Sequence, residues 1–107
     1  SGSPARKPKS GFVAISSAGG AVEAFVRAIT KELAPIRINL VSPGVIDTPM
    51  SPLKGKERKV FYKNATKDNI IKRAGTAEEV AKAILFVIEN DFITGATIDI
   101  DGGWISS

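Results

Sequence analysis

Asn39-Leu40-Val41-Ser42-Pro43-Gly44-Val45-Ile46-Asp47-Thr48 decides how the rest of this 107-residue chain is read. Ile36, Ile38, Leu40 and Val41 supply a short apolar run with the length and content of a buried strand, expected over residues 36–42. Pro43-Gly44 stops that run abruptly. Proline fixes φ and removes a backbone donor, while glycine admits dihedrals that other residues avoid. Residues just beyond such a stop lie at the C-terminal edge of a sheet, where open α/β sheets bind their ligands.

Upstream, Ala18, Val22, Phe25, Ile29 and Leu33 recur at helical spacing and predict one buried stripe. The helix is expected to start at Ser16 or Ser17, with serine as N-cap, and to end before Pro35. Residues 1–15 read as an irregular start. Downstream, a loop runs through Pro52, and Lys54 to Ile71 is polar and weakly periodic, enough for one or two short helices. Gly75 breaks the chain. Thr76-Ala77-Glu78-Glu79 then matches a capping box, opening a helix that runs to about Asn90. Thr94-Gly95 leads into a last strand, Ala96 to Ile100, ended by Asp101-Gly102-Gly103. The order helix, strand, helix, helix, strand argues for an α/β fold with a parallel pair and a right-handed crossover.

Composition removes several chemistries. Cysteine and histidine are both absent, which excludes disulfides, thiolate nucleophiles and Ser-His or Cys-His catalysis. With neither residue, no metal site is expected. No apolar run approaches the roughly 20 residues that span a bilayer, and no signal peptide is visible. The expectation is a soluble, cytoplasmic chain with no membrane partner. The net charge is +4, and Lys54, Lys56, Arg58, Lys59, Lys63 and Lys67 crowd one segment. Those cations lack a docking motif and, apart from Phe61 and Tyr62, interleaved aromatics. A solvated helix face is favoured over nucleic-acid binding.

Two strands make a poor sheet. A parallel pair is normally buried within a wider sheet covered by helices on both faces. Left alone it exposes unpaired edges and apolar faces to water or to another chain. The expected partners are therefore a missing N-terminal half or further copies of the chain in a homo-oligomer.

From about Ala21 to Gly103 the chain resembles the C-terminal half of short-chain dehydrogenases/reductases. The match is carried in order by Ala21-Val22-Glu23-Ala24-Phe25, Glu32-Leu33-Ala34-Pro35-Ile36-Arg37-Ile38-Asn39, the Pro-Gly segment, Arg73-Ala74-Gly75-Thr76-Ala77-Glu78-Glu79-Val80-Ala81, and Thr94-Gly95 through Asp101-Gly102-Gly103. The resemblance implies the C-terminal part of a doubly wound Rossmann-type parallel sheet, with residues 1–107 as a piece of one domain. It also implies NAD or NADP as cofactor, and hydride transfer to or from a carbonyl or alcohol carbon of a small-molecule substrate. Pro43, Gly44, Val45 and Ile46 would lie along the nicotinamide. The backbone of Ile46 would hold the carboxamide, the hydroxyl of Thr48 would assist, and residues 49–72 would form the substrate loop. The competing reading is that Pro-Gly only ends a strand and Thr48 caps the next segment.

The departures from the family pattern matter as much. No glycine-rich dinucleotide loop is present, since Gly19-Gly20 and Gly102-Gly103 lack the G-x-G-x-x-G spacing. In a gapless register the family's catalytic tyrosine and lysine positions are held by Ile15 and Gly19, neither of which can donate a proton. Ser1 falls near the catalytic serine in that register. A second register makes Gly11 to Ser17 a strand carrying the serine pair, at the cost of deleting the tyrosine and lysine together. Tyr62, the sole tyrosine, lies in the presumed substrate loop and reads as a packing or lid residue. The expectation is a piece of an NAD(P)-dependent short-chain oxidoreductase, inactive on its own. The alternatives are a catalytically degenerate relative that binds a nucleotide or partner without turnover, and a self-associating structural fragment.

Overall fold

The computed structural model describes residues 3–107. A 3-10 turn over Ser3–Ala5 precedes the long helix α1, Val13–Glu32. Strand β1, Leu40–Pro43, pairs in parallel with β4, Thr97–Ile100, in the register Leu40 to Thr97 through Pro43 to Ile100. Between them come β2, Ile46–Asp47, helix α2, Gly55–Ala65, β3, Gly75–Thr76, and helix α3, Ala77–Glu89. A second parallel pair joins β2 to β3. It escapes sequence reading because strands of two residues have no periodicity to read, and Gly75 is a strand residue rather than a simple break.

Helix α1 begins at Val13, three residues before the earlier serine expected to cap it. Its N-cap is Phe12, which makes no side-chain cap bond. The irregular start therefore ends at residue 12, and the register that made Gly11 to Ser17 a strand is excluded. The expected stripe is also corrected. Val22, Phe25 and Leu33 are exposed, whereas Gly19, Glu23 and Val26, spaced four and three residues apart, are the buried positions. The periodicity identified an apolar face, but nothing among the described residues covers it. Glu23 is held instead by Arg6, whose Nε lies 3.2 Å from its Oε1. The same guanidinium donates to Asp99 on β4 at 2.8 Å, so one arginine ties the N-terminal segment to helix and sheet. At 20 residues α1 is also long and apolar enough, by length and composition alone, to cross a membrane, contrary to the expectation from apolar runs.

Strand β1 starts later than expected because the ladder is offset at Asn39: Gly95 N donates to the Ile38 carbonyl at 2.7 Å and Leu40 N to the Ala96 carbonyl at 2.8 Å, which leaves Ala96 N to the Asn39 side chain. Its Nδ2 donates to the Ile93 carbonyl at 2.9 Å and its Oδ1 accepts from Ala96 N at 3.1 Å. Arg37, just before it, donates to the carbonyls of Val87, Asn90 and Ile93 at 2.7, 3.0 and 3.0 Å and to Ile88 at 2.8 Å. Val87 and Ile88 lie in the last turn of α3, whose carbonyls have no partner within the helix, and a cation there also meets the negative end of the helix dipole. Arg37→Met should cost about 2 kcal/mol and Arg37→Lys should recover less than half, since a single ammonium cannot reproduce the fork. Urea unfolding of the three proteins checks it.

Helix α3 opens on the expected capping box. Glu79 N donates to Thr76 Oγ1 at 3.2 Å, and Thr76 N donates to Glu79 Oε2 at 2.9 Å. The Arg73 guanidinium, 2.6 Å from Glu79 Oε1, holds that carboxyl down from its ordinary 4.5 to about 2, and the Thr76 amide adds to the effect. A carboxylate lowered in the folded state stabilises fully above its unfolded value, and that contribution disappears as pH falls from 4.5 toward about 2. Glu79→Gln keeps an acceptor for Thr76 but removes the titration. Its unfolding midpoint should fall less steeply across that acid range than that of the unaltered chain.

Among the described residues Val26, Val87 and Trp104 are the buried apolar side chains. Ile84, Leu85, Phe86 and Ile88 on α3 remain exposed, as does Phe92 beyond it. The α/β architecture is thus the expected one, with a partial parallel sheet and large apolar faces left uncovered.

Candidate functional site

Where β1 ends, Gly44 N donates to the Ile100 carbonyl at 2.9 Å, which carries the pairing with β4 past Pro43. Gly44 does not sit in the left-handed region. Its lack of a side chain answers a close approach, because a Cβ there would lie 2.8 Å from Asp101 Cα and 2.9 Å from Asp101 Cβ. The glycine is therefore needed for space, and the expectation that it supplies an unusual dihedral is corrected.

The next residues alternate. Gly75 N donates to the Val45 carbonyl at 2.9 Å, and Ile46 is the registered partner of Gly75. In a parallel ladder the residue between two bonded neighbours turns its own N–H and C=O to the opposite side. Ile46 thus presents one donor and one acceptor on the edge of β2 away from β3, and among the described residues that sheet has only two strands. A Cβ on Gly75 would meet Ile46 Cδ1 at 2.7 Å, the movable end of a side chain, so the space there is less strictly reserved than at Gly44.

Beyond Ile46 the loop is held by Arg58 of α2. Its Nη2 donates to the Thr48 carbonyl at 2.8 Å, its Nη1 to Leu53 O at 2.9 Å, and its Nε to Asp47 Oδ1 at 3.1 Å. Sequence reading placed Arg58 on a solvated basic face, whereas it is a staple for residues 47–53. An acid eleven positions before an arginine is too weak a signal to have shown this. Tyr62 lies beneath the same guanidinium, 5.4 Å from its ring centre, and stacks edge-on against Phe61. It packs, as expected.

Pro43, Gly44 and Val45 form one wall of a cavity of about 460 Å³, with Phe12, Phe61 and Trp104 among the others. Phe61 comes from the segment expected to hold substrate. Ile15 and Gly19 both lie on α1; the first is 58% exposed, the second buried, and neither offers an ionisable group. Ser1 lies outside the described residues. No cluster of metal-binding side chains occurs among the described residues.

The family profile described as Enoyl-(Acyl carrier protein) reductase matches residues 4–105. The chain belongs to the short-chain dehydrogenase/reductase family. A family member from Stachybotrys chlorohalonatus is 37% identical over 105 residues, a match covering 96% of this chain and 41% of that protein. The chain thus spans about two-fifths of that relative's length. Among solved structures, a small-chain dehydrogenase in complex with NADPH superposes with a TM-score of 0.89 at 33% identity, over 100% of this chain and 49% of its own. The MalC Reductase/Diels-Alderase from Malbranchea aurantiaca superposes with a TM-score of 0.91 at 30% identity, over 100% of this chain and 42% of its own. The Rossmann-type fold of these enzymes is therefore the fold to which this partial parallel sheet belongs. NAD(P) is the cofactor of the family.

Proposed function

We propose that this chain supplies the nicotinamide-side wall of an NAD(P)-dependent short-chain oxidoreductase that interconverts a carbonyl and an alcohol. The observation that carries this is the free edge of Ile46. A carboxamide needs one donor and one acceptor in a fixed arrangement, and Ile46 offers both beside the Pro43–Val45 cavity. Thr48, whose carbonyl is fixed by Arg58, adds a hydroxyl next to that edge. Pro43 and Gly44 set the angle of the wall, and residues 49–72 close the substrate side. When bound, NAD(P) supplies or accepts the hydride; the protein's part is to hold the ring and exclude water.

In this reading the 107 residues alone do not turn over a dinucleotide. The positions for a proton donor hold Ile15 and Gly19, and no glycine-rich loop is present to cradle a pyrophosphate at a helix N-terminus. The uncovered faces of α1 and α3 associate with the N-terminal half of the same domain or with a second copy of the chain. Titration with nicotinamide mononucleotide should shift the amide resonances of Ile46 and Thr48. Thr48→Val should weaken that binding about fivefold, as expected for one lost hydrogen bond. A silent Ile46 amide would refute the cofactor reading, and measurable NAD(P)H oxidation by the chain would refute its inactivity.

The lack of an ionisable side chain at Ile15 and Gly19 also favours a second reading, a family member that keeps this wall without hydride turnover. One solved relative is described as a reductase/Diels-Alderase, and a cycloaddition transfers no proton. Cofactor binding without turnover across a broad carbonyl panel would select this alternative.

A further inference from the structure

The cavity beside the Pro-Gly turn has a polarity that singles out one kind of ligand. Most of its lining is apolar, including Phe12, Val45, Phe61 and Trp104, and Lys9 and Asn69 are the polar side chains that reach it. Asn69 is buried, and its Nδ2 points to the Arg73 carbonyl at 3.5 Å. Lys9 is less committed. Its ammonium lies 5.0 Å above the Trp104 ring and 3.7 Å from Asp68 Oδ2, and both members of that ion pair are about half exposed. So long and wet a pair contributes little. Lys7, the other cation on the Trp104 ring, donates instead to the backbone oxygens of Trp104 and Ser107 at 2.9 and 2.7 Å. Lys9 is therefore the available charge in an apolar cavity of about 460 Å³, a volume suited to a molecule of two or three rings.

We propose that this cavity takes a flat, apolar carboxylate, with the acid on the Lys9 ammonium and the rings between Phe12, Phe61 and Trp104. The assignment of that molecule as substrate rests on the nicotinamide reading, because Pro43, Gly44 and Val45 are walls of both sites. The rings of the incoming acid gain contact with the aromatic walls that Asp68 cannot make, so the acid displaces Asp68 from a pair that is long and wet. Selection for charge thus comes from one residue, and selection for shape from three aromatic side chains.

Trp104 is the only tryptophan, so its indole N–H gives a single nitrogen-15 resonance on which binding can be read. 2-Naphthoate and the neutral 2-naphthylmethanol, which share a ring system, should both shift it, the acid binding about fivefold more tightly. Lys9→Met should equalise the two probes and Lys9→Arg should retain the preference. Asp68→Asn should tighten the acid alone by removing its competitor. Equal binding of acid and alcohol by the unaltered chain, no indole shift with either, or a preference that survives Lys9→Met would overturn the proposal. Nicotinamide mononucleotide added to the same sample reads the other site through Ile46. Acid selectivity with a silent Ile46 would leave the pocket standing and defeat the cofactor reading, and the reverse result would defeat the pocket alone.

Discussion

Trp104→Ala is expected to lower the unfolding free energy of the chain by about 3 kcal/mol, the usual cost of removing a buried tryptophan. The residue is 9% exposed and belongs to a very small set of buried apolar side chains. Its backbone is fixed as well. Trp104 N donates to the Asp101 carbonyl at 3.3 Å, and the Asp101 carboxylate accepts from Gly103 N at 2.9 Å and Ile105 N at 3.0 Å. Two ammonium groups sit over the ring, so truncation also removes a cation–π contact for Lys7 and for Lys9. Trp104→Phe retains a ring and should lose about 1 kcal/mol. Urea denaturation followed by circular dichroism measures both. An alanine variant as stable as the unaltered chain would show that the C-terminal turn is not part of the folded unit.

Gly44→Ala should cost nearly as much, about 3 kcal/mol, at the upper end for overpacking. The clash is with a backbone atom and with the first side-chain atom of Asp101, at 2.8 and 2.9 Å, so no flexible side-chain end can move aside. Relief requires β1 and β4 to separate where Gly44 N meets the Ile100 carbonyl. The Pro43–Val45 wall would move with them. The variant should therefore lose nicotinamide mononucleotide binding even where urea titration finds it folded. An alanine variant with unchanged stability and unchanged binding would contradict the close approach on which the geometry of the turn depends.

Features encoded within a few residues were legible in the sequence. The capping box needs only Thr76 and Glu79, and its two bonds formed as expected. The parallel pairing of the two strands was equally readable, although the ladder runs through Pro43 instead of stopping before it. Where partners are distant, local pattern misled. Ile36 and Ile38 looked like strand residues, yet the ladder is offset at Asn39, whose carboxamide bonds Ile93 and Ala96, 54 and 57 positions along the chain. The apolar stripe on α1 was real, but periodicity does not say what covers it. At the candidate site, the importance of Gly44 was visible but its reason was not, because the reason is Asp101. Arg58 was counted on a solvated basic face, since its partners are fixed only by the fold.

The Arg6 and Lys7 contacts bear on when this chain can fold. Arg6 meets Asp99 across 93 positions, and Lys7 meets Ser107 across 100. Strand β1 likewise finds β4 only after the intervening residues have been made. During synthesis α1 can coil and Thr76 can cap α3, since both are local events. The β1–β4 pair and its clasp cannot close until β4 is complete. Until then the apolar run of β1 stands open on the ribosome, so this stretch is an expected client for chaperones that shield nascent chains.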